Sequence, residues 1–127
     1  MYIIGIGVDI IENYRINKLI KNKKFISRIF SKKEISKAKK IKNKTSYYAK
    51  RFAAKESISK AIGTGFIKDI NFKDISIYND KLGKPYVALN SNIKKIISSI
   101  LKTNKFKIFI SLTDEKKYSI AFTVIQK

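Results

Sequence analysis

The chain has 127 residues, a net charge of +20, and neither cysteine nor histidine. This length suits one domain, and a hydrophobic fraction of 44% is ordinary for a folded protein. The missing residue types exclude disulfides, cysteine metal sites and histidine acid–base chemistry, so any catalysis must use Asp, Glu, Lys or Tyr.

The positive charge alone does not identify a partner. All but three of the 29 basic residues are lysines, spread along a chain with 25 isoleucines, as an AT-rich genome would produce. Specific nucleic-acid recognition favours arginine, and the nearest aromatic–cation cluster is Tyr47–Tyr48 beside Lys50 and Arg51. A small basic nucleic-acid-binding protein therefore stays the alternative interpretation, while the surface is expected to attract acidic partner proteins.

The first predicted element is a strand over YIIGIGVDII, because its residues are β-branched and bounded by polar ones. One face has the larger side chains and the other has two glycines and a carboxylate: Ile4, Ile6, Val8 and Ile10 against Gly5, Gly7 and Asp9. Burying Asp9 alone would be costly, so it pairs with a lysine, faces water at a strand end, or binds a ligand. The segment has no basic leader, and no apolar run is long enough to cross a bilayer, which predicts a cytoplasmic protein without membrane contact.

Two helical segments are predicted next. Residues 13–22 suggest a helix or helical turn with Arg15, Lys18 and Lys21 outside. A capping-box pattern at Ser31 predicts a lysine-rich helix to about Lys42. Residues 43–46 are interpreted as a break.

The following helix contains RFAAKESISKAIGTG, residues 51–65. Glu56 and Lys60 are four residues apart and share a face. They could be an exposed ion pair worth about 0.2–0.5 kcal/mol. The neighbouring residues favour a functional interpretation over a simple ion pair. Small side chains permit a close approach to the helix, and glycines end it where the backbone must turn or meet a ligand: Ala53, Ala54, Ala61, Gly63 and Gly65.

The remaining elements complete the expected fold. A hairpin is predicted with strands 75–78 and 86–89 and Pro85 at the second strand's start, followed by an amphipathic helix over 91–102. Residues 106–113 and 118–125 predict a final antiparallel pair. We therefore expect one α+β domain over residues 1–127, with an antiparallel sheet packed by helices.

The two carboxylates suggest a metal site. Asp9 on a glycine-flanked strand and Glu56 on an adjacent helix would supply hard oxygen ligands without imidazole, which suits Mg²⁺ with its waters and substrate phosphates. Lys60, one turn from Glu56, would face the same phosphates. The pattern predicts a Mg²⁺-dependent phosphoryl-type transfer.

The sequence resembles the holo-acyl-carrier-protein synthases, the small bacterial 4′-phosphopantetheinyl transferases. The resemblance covers IGIGVDIIE followed by Arg15, then KRFAAKESISKAIGTG, NDKLGKP and SLTDEKKYSIAFTVI, and so nearly the whole chain. It implies transfer of the phosphopantetheine arm of coenzyme A to a serine of apo-acyl carrier protein, with release of adenosine 3′,5′-bisphosphate, in fatty acid biosynthesis. It also implies a homotrimer with active sites between chains, and no nucleic-acid partner.

The resemblance implies a role for each matching residue. Asp9 and Glu56 are the expected Mg²⁺ ligands. Glu56, or a metal-bound water that it orients, is the expected base, and Lys60 is expected to stabilise or protonate the leaving bisphosphate. Coenzyme A is expected to contact Arg51, Lys60, Gly63, Gly65 and Pro85. The carrier protein is expected to dock on Arg15, Lys18 and Lys21.

The chain departs from the family pattern at one position. Many relatives have a histidine in the late strand where this chain has Asp114. Proton transfer through histidine is therefore impossible here. The intact set of Asp9, Glu56 and Lys60 argues against a non-catalytic relative that only docks on carriers.

Overall fold

The computed structural model describes residues 2–63 and 70–127. Its elements, in chain order, are β1 (Ile3–Glu12), α1 (Asn13–Leu19), α2 (Lys23–Ile29), α3 (Lys32–Ala38), α4 (Lys44–Ile62), a 3₁₀ turn (Phe72–Asp74), β2 (Ile75–Asn79), β3 (Pro85–Leu89), α5 (Ser91–Leu101), β4 (Lys107–Asp114) and β5 (Tyr118–Gln126).

The strands form two antiparallel sheets. One has the order β1-β5-β4 and the other is the β2–β3 hairpin. Helix α4 packs on the three-stranded sheet, and the remaining helices surround these layers. The α+β fold with antiparallel sheets packed by helices, predicted from the sequence, is confirmed.

The glycines of β1 let α4 approach the sheet very closely. A Cβ atom on Gly5 would lie 2.1 Å from the carbonyl oxygen of Ala61, and one on Gly7 would lie 2.0 Å from that of Ser57. No side chain fits in that space, so glycine is required at both positions. As β1 advances from Gly5 to Gly7, its contact on α4 moves back by one turn, and the two elements therefore run in opposite directions.

The other face of the three-stranded sheet exposes large apolar side chains. Ile6, Val8 and Ile10 are 63%, 54% and 59% exposed. Val8 lies opposite Phe122 in the register, and Phe122 is 44% exposed. The alternation in β1 therefore separates a face packed on α4 from a face left open in the single chain.

The helix boundaries differ from the sequence prediction in three places. α3 ends at Ala38 rather than near Lys42, and residues 44–46, interpreted as a break, form the first turn of α4. The predicted break is wrong because Asn43 is an N-cap, with its side chain accepting a hydrogen bond of 3.1 Å from the Ser46 amide. Asn22 similarly caps α2, so the helix predicted over 13–22 ends at Leu19.

No helix within residues 2–63 and 70–127 is long and apolar enough to cross a membrane.

Candidate active site

Asp9, Glu56 and Lys60 come together where β1 crosses α4. The Lys60 ammonium donates hydrogen bonds of 3.2 Å to the Asp9 carboxylate and 2.9 Å to the Val8 carbonyl oxygen. Asp9 shares the β1 face of Gly7, two residues earlier, which presses on α4. The strand thus brings Asp9 beside the turn of α4 that presents Glu56, 47 positions further along the chain, and Lys60, 51 positions further.

The charges of this cluster act on Glu56. Burial raises the pKa of the Glu56 carboxyl, the nearby Asp9 carboxylate raises it further, and the Lys60 ammonium lowers it in part. Two carboxylates that repel one another beside a single ammonium form a site that gains from an added cation. The side chain of Asp9 is only 16% exposed, whereas that of Lys60 is 54% exposed and can move.

The donor set of this cluster fits Mg²⁺. Asp9 and Glu56 are hard oxygen ligands, and the described residues contain no group of three or more His, Cys, Asp or Glu that could enclose a metal. Mg²⁺ commonly binds through one or two carboxylates and completes its coordination with water and substrate phosphate. A two-carboxylate site therefore suits an ion that is shared with a phosphorylated substrate.

Arg51 belongs to a second cluster, on another face of α4. Five residues separate it from Glu56, which corresponds to about 140° around a helix. Arg51 is 5% exposed and donates a 2.6 Å hydrogen bond from Nη2 to the Asn79 amide oxygen, with its guanidinium 3.8 Å from the centre of the Tyr47 ring. Its Nε is buried and has no hydrogen-bond partner in the part of the chain that the structure describes.

A cavity of about 600 Å³ opens beside Arg51, between α3, α4 and β2. Its lining includes Lys33, Lys37, Tyr78 and Asn79. Burial lowers the pKa of the Arg51 guanidinium, although the group stays charged at neutral pH. The lining also has two carboxylates, those of Asp80 and of Glu34, which pairs with Lys55. The three cationic side chains outnumber them, and with the unpaired buried N–H donor they are suited to bind an anion such as phosphate.

The other residues predicted from the sequence have less specific positions. Gly63 caps α4 with a φ of 88°, in the left-handed region that the predicted turn requires. Gly65 lies outside the described residues. Pro85 begins β3 and pairs with Asn79, which places it near the Arg51 cluster. Arg15 and Lys18 are exposed on α1, and Lys21 is exposed just after it.

Asp114, in the late strand β4, is held by α4. Its carboxylate accepts a short hydrogen bond from the Ser46 hydroxyl and lies 3.6 Å from the Lys50 ammonium. This carboxylate therefore joins the end of β4 to the first two turns of α4.

Sequence reasoning missed a buried ion pair between Lys55 and Glu34. Their side chains are 0% and 1% exposed, and Lys55 Nζ lies 2.5 Å from a Glu34 carboxylate oxygen. Burial lowers the pKa of Lys55 to about 8, even though Glu34 acts in the opposite direction. No clear signal in the sequence marks Lys55, because α4 is buried on nearly every side and so has no single apolar stripe that would identify a lysine as internal.

Comparison with known proteins identifies the class to which this fold and site belong. Residues 5–123 match the model of the 4′-phosphopantetheinyl transferase superfamily. The chain belongs to this superfamily, as the sequence motifs indicated.

Individual relatives agree with this assignment. A holo-[acyl-carrier-protein] synthase of Pelagibacter ubique is 58% identical over 100% of this chain and 99% of its own length. The crystal structure of the Neisseria meningitidis holo-[acyl-carrier-protein] synthase superposes with a TM-score of 0.89 at 34% identity, covering 99% of this chain and 100% of that one. A Bacillus anthracis holo-(acyl-carrier-protein) synthase, solved in complex with CoA (3′,5′-ADP), superposes with a TM-score of 0.80 at 37% identity. The match covers 97% of this chain and 96% of that one.

Proposed function

We propose that this chain transfers the 4′-phosphopantetheine arm of coenzyme A to a serine of apo-acyl carrier protein, with Mg²⁺, in cytoplasmic fatty acid biosynthesis. The serine oxygen forms a bond to the phosphorus that bears the pantetheine arm. The bond from that phosphorus to the bridging oxygen breaks, and adenosine 3′,5′-bisphosphate leaves. We further propose that residues 1–127 form one domain for this reaction.

The observation that carries the proposal is the convergence of Asp9, Glu56 and Lys60 at the crossing of β1 and α4. These two elements contain the two motifs that define the resemblance. A relative solved with coenzyme A shares 37% of its sequence with this chain over nearly its full length.

Each residue of the cluster has a distinct role in this proposal. Asp9 and Glu56 would hold Mg²⁺, which when bound neutralises negative charge on the pyrophosphate of coenzyme A. Glu56, or a water that it orients, accepts the serine proton. Lys60, mobile and cationic, stabilises the negative charge that develops on the leaving bisphosphate.

The rest of coenzyme A requires a larger site than the Asp9–Glu56–Lys60 cluster. We assign a phosphate of the nucleotide to the Arg51 cavity. Contacts of coenzyme A with Pro85, Gly63 and Gly65 are proposed on the family resemblance alone. Within the described residues, the lining of this cavity does not include Asp9, Glu56 or Lys60. We therefore propose a homotrimer in which the Arg51 cluster of one chain completes the metal cluster of its neighbour.

The carrier protein would dock beside β1. α1 begins four residues after Asp9 and exposes Arg15 and Lys18, and Lys21 is exposed immediately after it. Acyl carrier proteins are acidic, so a cationic surface next to the metal cluster steers the serine toward it.

Intact-mass spectrometry tests the proposal directly. Incubation with apo-acyl carrier protein, coenzyme A and Mg²⁺ should add one phosphopantetheine mass to the carrier. Asp9→Asn or Glu56→Gln should abolish the gain, because each removes a charged ligand. Glu115→Gln is the matched control, since this exposed turn residue lies outside the cluster and glutamine can still accept its hydrogen bonds from the backbone. Absence of any mass gain across several bacterial carriers would overturn the proposal.

A further inference from the structure

The buried ion pair of Lys55 and Glu34 joins segments that are distant in sequence. Lys55 Nζ donates hydrogen bonds to the carbonyl oxygens of Ile29 at 2.9 Å, Phe72 at 2.9 Å and Ile75 at 2.8 Å, besides its contact with Glu34. These acceptors belong to α2, the 3₁₀ turn and β2. One ammonium therefore fastens three segments to α4.

Glu34 completes the connection at the free edge of the hairpin. One of its carboxylate oxygens accepts a 3.0 Å hydrogen bond from the Ile77 amide, and the other accepts one of 2.9 Å from the Ser31 amide. β2 has β3 on only one side within the two-stranded sheet. The Lys55–Glu34 pair thus satisfies backbone groups on the side of β2 where another strand would otherwise pair.

The same face of α4 holds the end of β2. Arg51 precedes Lys55 by four residues, so both side chains project from one face of the helix. Lys55 and Glu34 hold β2 at Ile75 and Ile77, while Arg51 holds it at Asn79. Asn79 also donates a 2.9 Å hydrogen bond to the carbonyl oxygen of Gly83 in the turn that leads to β3. The position of the hairpin relative to Arg51 therefore depends on these three anchor points.

We propose that Lys55 and Glu34 are positioning residues that hold the β2–β3 hairpin against α4 and so keep the Arg51 cavity in its binding shape. This inference rests on the proposed function, because it assigns the pair to the binding of the nucleotide half of coenzyme A. A buried ion pair is weak evidence for stability, since apolar residues of similar volume often replace such pairs without loss. The three N–H donors of Lys55, shared among four acceptors, instead fix the relative positions of the segments that they join.

The location of the pair predicts which kinetic constant it controls. Lys55 lies about 140° around α4 from Lys60, so its bonds point away from the metal cluster. Asp9 is placed by the packing of Gly5 and Gly7 on α4, which does not involve β2. Loosening the hairpin should therefore weaken coenzyme A binding and leave the chemical step unchanged.

The test is the double variant Lys55→Met/Glu34→Gln, which removes both charges together and leaves neither one buried alone. If the hairpin is then in place only about a tenth of the time, the Kd for coenzyme A, measured by calorimetry, rises about tenfold. We expect kcat at saturating coenzyme A and its Mg²⁺ dependence to stay near wild type. Ile125→Val, a fully buried change on β5, is the control for lost stability and should leave the Kd unaltered.

The outcomes separate this inference from the proposed function. If the wild type transfers phosphopantetheine but the double variant binds coenzyme A equally well, or loses kcat at an unchanged Kd, the positioning role is wrong. If the wild type neither binds coenzyme A nor modifies a carrier, the proposed function itself fails. If the double variant does not fold, the inference is tested on the wild type alone.

A measurement on the wild type needs no variant. Coenzyme A should slow hydrogen exchange at the β2 amides, including that of Ile77, because a filled cavity holds the hairpin on α4. Unchanged exchange at β2 with coenzyme A bound would overturn the inference.

Discussion

The charge balance around Glu56 gives a prediction at the scale of single residues. Burial and the Asp9 carboxylate raise the pKa of Glu56, and Lys60 lowers it. In Mg²⁺-free buffer, Lys60→Met should therefore raise this pKa further, whereas Asp9→Asn should bring it closer to the ordinary value without restoring it, because burial remains. Carboxyl NMR titration of the wild type and both variants measures the shifts.

A matched change on the same helix controls for altered net charge. Lys50→Met removes one lysine whose ammonium lies beside Asp114 rather than Glu56, so the pKa of Glu56 should not move. Equal shifts in Lys50→Met and Lys60→Met would show a general charge effect and contradict the specific contact. Because Mg²⁺ and protons compete for Glu56, Mg²⁺ affinity should fall as the pH is lowered toward this pKa.

The same cluster shows what residue patterns can predict. The spacing of Glu56 and Lys60 predicts their common helix face, and the cost of burying Asp9 alone implies a partner. Local rules do not select Lys60 as that partner, and only the fold shows their contact. Lys55 was not anticipated, because one lysine among so many gives no compositional signal. Its partner Glu34 is 21 residues away, and the sequence pattern predicted only that Glu34 belongs to the capping box of α3.

At the scale of elements, the packing of β1 on α4 predicts the effect of a single methyl group. In Gly7→Ala the new Cβ would meet the Ser57 carbonyl oxygen at 2.0 Å, so strand and helix must separate. Such overpacking costs about 1–3 kcal/mol of the free energy of unfolding. Since the separation moves Asp9 away from Glu56, Mg²⁺ affinity should fall too. Urea unfolding and magnesium calorimetry measure the two effects.

Gly83→Ala separates lost stability from lost geometry. Gly83 has a φ of 87°, and a Cβ there would have no atom of the described residues within 4 Å. A left-handed conformation costs an alanine about 1–2 kcal/mol. This variant should therefore lose comparable stability and keep its Mg²⁺ affinity. Weaker Mg²⁺ binding in both variants would mean that the β1–α4 contact does not set the metal site.

Element boundaries were less predictable than element types. The strands of both sheets follow from alternation and turn residues, and the end of α4 follows from Gly63. The ends of α1 and α3 and the start of α4 did not, because Asn22 and Asn43 cap helices where an asparagine also suits a loop. Whether an asparagine caps a helix or lies in a loop depends on the hydrogen bond between its side chain and the backbone, and this bond cannot be predicted from composition.

At the scale of the whole molecule, the alternation of apolar residues in β1 did not show which face of the strand packs inside the chain. Ile6, Val8 and Ile10 have the pattern of a core face, yet more than half of each side chain is exposed in the single chain. Apolar surface of this extent on one side of a sheet marks an interaction site. The proposed homotrimer would bury this apolar surface. The same packing of chains would bring the Arg51 cluster of one chain to the metal cluster of its neighbour.

Subunit mixing tests this arrangement. Asp9→Asn chains keep the Arg51 cluster, and Arg51→Met chains keep the metal cluster, so each variant alone should be inactive. In randomly mixed cyclic trimers, about a quarter of the interfaces join an intact metal cluster to an intact Arg51 cluster, so activity should return to about a quarter of the wild-type value.

A charge in the interface tests the same arrangement. Val8→Glu places a carboxylate opposite Phe122, so the mass measured by analytical ultracentrifugation should fall to that of one chain and transfer should be abolished. A fully active single chain, or mixtures that exchange subunits without regaining activity, would show that one chain forms the whole site.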